Sequence, residues 1–239
     1  MAEFQTNHPR EVGDPVWVAP ERIAILLYPG VEPMDFQGPC AIFDVWHLEA
    51  EGPEVILVAE STQPIRCSYG RSITPQYAFE GCPVFEALLV PGGAGRKAAV
   101  ANPAVINFLK EHGSSCTHLL SVCTGIFLLQ AAGLAAGHKV TTHWEYVNEL
   151  AADSHLIVSG GERYCMDGKL WTAAGIFSGI DLALAFIDSF EGTPRPGGDP
   201  RRAEAGKVQM VGQYFPSGRR YPPGPALGEA PDFVQAEFP

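Results

Sequence analysis

The sequence of 239 residues contains no apolar run long enough to cross a bilayer, so it predicts no membrane-spanning segment. Its N-terminus lacks a basic start followed by an apolar stretch, so we predict no secretory signal and a cytoplasmic location. Basic residues are scarce, because 16 Lys and Arg stand against 27 Asp and Glu, and the formal net charge is −11. Phosphate backbones require clustered cations, so this composition argues against a nucleic-acid partner.

The six cysteines form neither a CxxC pair nor a Cys/His cluster with zinc spacing, so we predict no metal site. In a chain of this size without an export signal, free thiols in a reducing compartment are expected. The glycine-rich stretch 92–96, GGAGR, lacks the Lys-Ser/Thr ending of a phosphate-binding loop. We therefore predict no nucleotide-binding site.

What the sequence does contain is a globular composition, with 46% hydrophobic and 18% charged residues. Short β-rich runs alternate with segments of helical periodicity, which predicts βαβ units. The predicted fold is an α/β, flavodoxin-like three-layer sandwich with a mostly parallel central sheet and helices on both faces. The predicted strands are 22–30, 54–61, 85–93, 117–123 and 138–144, with a hairpin at 65–79 and further strands within 155–175. The predicted helices are 38–50, 102–113, 124–137, 145–152, 176–190 and 203–215.

Three regions are predicted along the chain. Residues 1–20 form a polar N-terminal arm, and residues 21–192 form the α/β domain. Residues 193–239 form a Pro/Gly-rich extension that packs on the domain or is partly irregular.

Cys123 occupies the junction between a predicted strand, THLLSVC, and a predicted helix that begins at Thr124. A strand that turns directly into a helix forms a sharp elbow and pushes the side chain at the bend outward. The N–H groups and positive dipole end of the helix would favour the thiolate, which is the nucleophile. A small buried apolar residue is the alternative interpretation of an isolated cysteine.

Other polar residues fall at the same predicted sheet edge, where sites form in parallel α/β sheets. Asp35 follows the first strand, and Gly92 and Gly93 follow the strand that ends in LLV. Asp35 could act as an acid or base, or could only cap a helix or form a turn before Gly-Pro. Thr124 could guide water, or could only supply a hydroxyl at the helix start.

Four segments resemble the ThiJ/PfpI superfamily, whose fold is close to that of class I glutamine amidotransferases. They occur in the family's order and are YPGVEPMDFQGP, LLVPGGAG, LLSVCTGIFLLQAAGLAAGHKVTTHW and GKLWTAAGIFSGIDLAL. The combination of Asp35 with Cys123 followed by Thr124 is similar to the isonitrile hydratase branch. The position of Gln37, where that branch commonly has Thr, departs from the pattern and predicts a change in pocket polarity.

The resemblance implies a cofactor-free lyase that adds water to an isonitrile, or to a similar small electrophile, and gives an N-substituted formamide. Cys123 would attack the isonitrile carbon, Asp35 would move the proton, and Thr124 would help guide water. The residues that would bind the substrate, or stabilise the negative charge that develops on it, are Gly92, Gly93, His143 and Trp144. The resemblance also implies a homodimer acting on a small molecule.

Alternatives remain open at this point. A related enzyme of the same fold could act on an aldehyde in a glyoxalase- or deglycase-like reaction, cleave an amide, or perform a biosynthetic tailoring step. A redox sensor or chaperone would oxidise Cys123 instead of turning over substrate. Sensor domains of AraC-type regulators share the same combination of residues, but continue into a helix-turn-helix module for which too few residues follow Glu191.

Overall fold

A computed structural model describes residues 18–193, 201, 204–212 and 214. Most of the predicted N-terminal arm and most of the predicted C-terminal extension lie outside these residues. The boundaries of those two regions therefore stay predictions. All six cysteines are within the described part of the chain, and all six are free thiols.

The centre of the molecule is a seven-stranded sheet with the strand order β10-β11-β7-β6-β1-β2-β5. All neighbouring strands in it are parallel except β10 and β11, which are antiparallel. Two small two-stranded sheets, β3-β4 and β8-β9, lie outside it. The strands are β1 Arg22–Leu26, β2 Glu54–Ala59, β3 Ile65–Arg66, β4 Ser72–Ile73, β5 Tyr77–Ala78, β6 Ala87–Val90, β7 His118–Val122, β8 Lys139–Val140, β9 Ile157–Val158, β10 Tyr164–Asp167 and β11 Leu170–Ala173.

Helices flank the sheet, as the alternating pattern of the sequence predicts. Helices α1, α6 and α7 pack together as one group, and α2, α3 and α4 pack together as another. The helices are α1 Pro33–Ala50, α2 Arg96–Val100, α3 Pro103–Ser115, α4 Ile126–Ala131, α5 Val147–Leu150, α6 Ser178–Asp188 and α7 Glu204–Val211. The mostly parallel sheet with flanking helices confirms the predicted fold class.

Helix α1 begins five residues earlier than predicted, at Pro33 instead of Gly38. Glu32 is its N-cap and accepts a hydrogen bond from the Met34 amide, and Pro33 occupies the first turn. This cap followed by proline is a stronger start signal than the Gly-Pro step, which lies inside the helix. Asp35 therefore belongs to the first turn of α1 and not to a loop.

The helix predicted from Thr124 to Gly137 is also shorter in the structure. Residues Cys123–Gly125 form a 3-10 turn, and α4 ends at Ala131. Gly133 has φ +75°, and the amide of Leu134 donates to the carbonyl of Leu129, which closes the helix end. The predicted hairpin at 65–79 is likewise divided, because Tyr77–Ala78 leaves β3-β4 and joins the edge of the main sheet.

The first part of the C-terminal region packs on the domain through a buried polar contact. The indole Nε1 of Trp46 in α1 donates to Glu204 Oε2 at 2.6 Å, and Arg201 Nη1 pairs with the same carboxylate at 2.9 Å. Trp46 also stacks on Phe190, with ring centroids 5.9 Å apart. These contacts hold α7 against α1, on the α1–α6 side of the sheet.

Candidate active site

Cys123 lies at the bend between β7 and the following 3-10 turn, at the carboxyl end of a central strand. Its φ is +57°, a left-handed conformation that is uncommon for a residue with a side chain and is typical of nucleophile elbows. The buried Thr142 hydroxyl donates to the Cys123 carbonyl at 2.9 Å and helps to hold this conformation. The sharp bend predicted from the sequence is present.

Glycines allow the neighbouring loop to approach this bend. A Cβ on Gly125 would lie 1.9 Å from the Val90 carbonyl oxygen, and a Cβ on Gly92 would lie 2.5 Å from both the amide nitrogen and the hydroxyl of Thr124. Side chains at either position would therefore collide with backbone. Because Gly92 and Gly125 have no side chains, the end of β6 directly contacts the bend at Cys123.

Asp35 reaches this junction from the first turn of α1 and is completely buried. Its Oδ2 accepts a hydrogen bond from the Gly92 amide at 2.9 Å. Burial raises the pKa of Asp35 to about 7, with a further increase from Glu32, while the Gly92 amide and the Cys123 thiol lower it by less. Asp35 can therefore both accept and donate a proton near neutral pH.

The pKa of the Cys123 thiol shifts upward, which is opposite to the direction expected if the helix start favoured the thiolate. Burial and, to a smaller extent, the Asp35 carboxylate raise its pKa to about 12. The amide and hydroxyl of Thr124 act in the predicted direction, but they are outweighed. Loss of solvation and a neighbouring negative charge thus exceed the effect of the local backbone donors.

The amides of Gly92 and Gly93 are already engaged, which changes their predicted role as charge-binding groups. Gly92 donates to Asp35, and Gly93 donates to the Thr124 hydroxyl at 3.1 Å. These two bonds orient the Asp35 carboxyl and the Thr124 hydroxyl, which both interact with the Cys123 thiol. The Thr124 amide, which lowers the pKa of Cys123, is the backbone donor directed at the sulfur.

A cavity of about 330 Å³ opens onto Cys123 and Thr124. This volume is at the small end of the range for ligand pockets, so it suits a small substrate. Asp35 is not a lining residue, and its carboxyl group interacts with the Cys123 thiol. The other lining residues are Glu32, Ser68, Tyr69, Gly93, Ala94, Arg96, Lys97, His143, Glu145, Tyr146 and Ile176.

His143 and Trp144 lie in different environments. His143 lines the cavity, and its Nδ1 accepts a hydrogen bond from the Glu145 amide at 3.4 Å. No hydrogen bond between His143 and Cys123 occurs in the described part of the chain. Trp144 is 77% exposed and is not a lining residue of this cavity, so its substrate-binding role stays a prediction. Gln37 is also exposed and outside the lining, so it does not set the polarity of this pocket.

Two buried charged residues of the cavity were missed from the sequence. Glu32 is 7% exposed, and burial raises the pKa of its carboxyl. Its position as an N-cap before Pro33 was the available signal, but that signal indicates a helix start and not a pocket. Arg96 was considered only within GGAGR, and nothing local in that stretch indicates that its side chain lines a cavity together with Cys123.

The described residues hold neither a metal-binding cluster nor a membrane-spanning helix. No group of three or more His, Cys, Asp or Glu side chains there could hold a metal ion. Among the described helices, none combines the length and apolarity needed to cross a membrane.

Comparison with known proteins places this chain in a family. Residues 21–189 match the model of the DJ-1/PfpI family, so the chain belongs to that family. It is 35% identical over 171 residues to an isonitrile hydratase from Pseudomonas putida, covering 72% of each chain. It is 26% identical over 148 residues to a glutathione-independent glyoxalase, DJR-1.2, from Caenorhabditis elegans, covering 59% of this chain and 75% of that protein.

A solved structure gives the same result for the fold. A ThiJ/PfpI family protein from Pseudomonas syringae superposes with a TM-score of 0.72 at 29% identity, covering 95% of this chain and 90% of that one. The DJ-1beta structure from Drosophila melanogaster, at 18% identity and a TM-score of 0.67, shares the fold. The predicted superfamily is therefore confirmed.

Proposed function

We propose that this chain, as a member of the DJ-1/PfpI family, is an enzyme that hydrates an isonitrile, or a similar small electrophile, through a covalent adduct on Cys123. The observation that carries the proposal is the pairing of a protonated thiol with a buried acid of pKa about 7 beside a small cavity. The 35% identity to an isonitrile hydratase supports this choice of electrophile.

In the first step the Asp35 carboxylate accepts the thiol proton as Sγ attacks the terminal carbon of R–N≡C. The same proton then passes from Asp35 to that carbon, and the product is the thioimidate R–N=CH–S–Cys123. One S–H bond breaks, while one S–C bond and one C–H bond form, so the step needs no oxidant or metal. The raised pKa of Asp35 suits both halves of this transfer.

In the second step water attacks the thioimidate carbon, the nitrogen gains a proton, and the C–S bond breaks to restore the thiol. The product is R–NH–CHO, which contains the isonitrile plus one water. We assign the water to Thr124 and Glu32, because both line the cavity in which the water must lie. The buried Glu32 carboxyl has a raised pKa and can exchange a proton with that water.

The test is formation of the N-substituted formamide from an alkyl isonitrile, followed by NMR for the wild type, Cys123→Ala and Cys165→Ala. We expect formamide from the wild type and Cys165→Ala, and none above background from Cys123→Ala. Intact mass spectrometry of the wild type during turnover should detect the chain plus one isonitrile. Absence of formamide with the wild type would overturn the proposal.

An aldehyde is the second candidate electrophile, and the likeness to the glyoxalase of C. elegans is the observation that favours it. The same three proteins should then convert methylglyoxal to lactate, again only where Cys123 is present. A redox sensor is less well supported, because the species that peroxide oxidises is the thiolate and Cys123 is held as the thiol.

We also propose that the chain acts as a homodimer. Tyr69, Trp144 and Phe177 are 85%, 77% and 67% exposed, and each lines the cavity or is adjacent in sequence to a residue that does. A contact between two copies through this aromatic surface would cover the mouth of the cavity. Analytical ultracentrifugation should give a dimer for the wild type and a weaker dimer for Trp144→Glu; a monomeric wild type would exclude the homodimer.

A further inference from the structure

Arg96 is a buried cation in the wall of the cavity. Its guanidinium carbon lies 4.1 Å from the centre of the Phe127 ring and 4.4 Å from the centre of the Tyr146 ring. Its side chain is 6% exposed, although arginine is rarely buried to this extent. The two rings hold the guanidinium plane in one orientation, so little conformational freedom would be lost when it binds a ligand.

The guanidinium retains unused hydrogen-bond donors. Its Nη2 donates to Glu149 Oε2 at 2.8 Å, and this is its only hydrogen bond in the described part of the chain. A guanidinium carries five N–H donors in a planar fork. Arg96 therefore has donors left for a group that enters the cavity, and the charge of its half-exposed partner Glu149 is partly screened by solvent.

The charges around the cavity are arranged unevenly. Arg96 and Lys97 are consecutive residues at the start of α2 and both line the cavity. Glu32 lies close enough to Cys123 to raise the pKa of the thiol, and Glu145 lies beside His143. The wall contributed by α2 is thus cationic, and the carboxyl groups belong to other walls.

We propose that Arg96 determines substrate specificity by binding a carboxylate, so that the preferred substrates are small isonitriles that carry an anionic group. The inference rests on the proposed function and adds the class of substrate to it. A planar guanidinium suits a carboxylate because two parallel N–H···O bonds can form. The Lys97 ammonium adds a second positive charge to the same wall.

The test compares two substrates with the same reacting group, isocyanoacetate and its methyl ester. The wild type should prefer the acid, and in Arg96→Met the ratio of kcat/KM for acid over ester should fall by about 30-fold, as expected for a charge-assisted hydrogen bond. Arg163→Met is the matched control, because Arg163 forms an ion pair with Asp181 away from the cavity. An unchanged ratio in Arg96→Met would overturn the proposal.

A second variant keeps the test decisive if Arg96→Met does not fold. Glu149→Gln leaves Arg96 in place and removes its anionic partner, so the preference for the acid should increase; no increase would count against the proposal.

A binding measurement separates this inference from the proposed function. Calorimetry with Cys123→Ala should detect N-formylglycine, the formamide that the acid would give, and should not detect its methyl ester at the same concentration. Adding Arg96→Met should abolish that binding. If the wild type hydrates neither isonitrile but this difference holds, carboxylate recognition stands and the reaction is wrong. Equal binding of acid and ester would overturn carboxylate recognition.

Discussion

Cys123 and Cys165 are both buried, each interacts with a carboxyl group, and the pKa of each thiol is raised to about 12, mainly by burial. Their carboxyl partners differ. The pKa of Asp35 is raised to about 7, whereas the pKa of Glu162 is lowered to about 2 by hydrogen bonds from Cys165, Lys139 and Ser159. Glu162 accepts from these three groups at 2.9–3.0 Å, so its charge is fully compensated.

The comparison indicates what a pair of thiol and acid needs for catalysis. A carboxylate compensated by a lysine is too weak a base to take a proton from a buried thiol, and it stabilises the edge of the sheet instead. An uncompensated buried carboxylate is basic enough to accept that proton. Cys123 also has the left-handed elbow and the cavity, and Cys165 lies on a regular strand, β10.

The largest expected difference is between the two cysteines themselves. Cys123→Ala should lower kcat/KM for isonitrile hydration by more than about a thousandfold, since the nucleophile is removed. Cys165→Ala should change it less than about twofold, because its removal touches no group of the site. Rates from formamide NMR at pH 7.5 with folded protein check both; equal loss in the two variants would show that the comparison is wrong.

The second-largest expected difference in kcat/KM is between variants of the two carboxyl partners, Asp35 and Glu162. Asp35→Asn should lower kcat/KM by about a hundredfold or more, the usual contribution of a general base, whereas Glu162→Gln should leave it nearly unchanged. In the wild type kcat/KM should fall as the pH drops below about 7, because protonated Asp35 cannot accept the thiol proton. Asp35→Asn should lack this inflection, and its persistence there would assign it to another group.

Stability should change in opposite directions in the same two variants. The folded-state pKa of Asp35 is above its ordinary value of 3.8, so the ionised carboxyl destabilises the fold as the pH rises from about 4 to about 7. Asp35→Asn should therefore increase the free energy of unfolding above pH 7, by up to about 4 kcal/mol, and should have no such effect below pH 4.

Glu162→Gln should lower the melting temperature instead, because the pKa of Glu162 is depressed. That contribution is present above the ordinary pKa of about 4.5 and is lost as the pH falls toward 2. Thermal unfolding from pH 2 to 8 measures both variants. Destabilisation by Asp35→Asn at pH 8 would contradict the account of Asp35.

The smallest expected effect concerns thiol reactivity. Both thiols should react slowly with iodoacetamide at pH 8, since both are protonated. Asp35→Asn removes one cause of the raised pKa of Cys123 but leaves burial, so its alkylation should accelerate only about two- to tenfold. Peptide mass spectrometry would detect this change, and rapid alkylation of Cys123 in the wild type would indicate a thiolate.

The fold and the elbow could be predicted from the sequence because local patterns carry them. Apolar runs ending in Pro-Gly-Gly or Cys-Thr-Gly mark strand ends, and parallel strands bring those ends to one edge. The ionisation of Cys123 could not be predicted, because it depends on how deeply α1 and the Gly92 loop bury the sulfur. For that reason, the rule that a helix start lowers the pKa of a nearby thiol predicted the wrong direction for Cys123.

Arg96 and Glu32 were missed for a related reason. Their neighbours in sequence indicate a glycine-rich loop and a helix cap, and only the packing of α2 and α1 around the elbow brings them to one cavity. Trp144 shows the converse: its closeness in sequence to His143 suggested a lining residue, but its side chain points outward.

The central claim is that the resting pair consists of a protonated Cys123 and an Asp35 that titrates near neutral pH. Infrared difference spectra between the wild type and Cys123→Ser, and between the wild type and Asp35→Asn, measure the S–H stretch and the carboxyl C=O stretch directly. We predict an S–H band that persists through pH 8 and a C=O band that disappears with a midpoint near pH 7. Loss of the S–H band below pH 7, with Asp35 still protonated, would contradict the account.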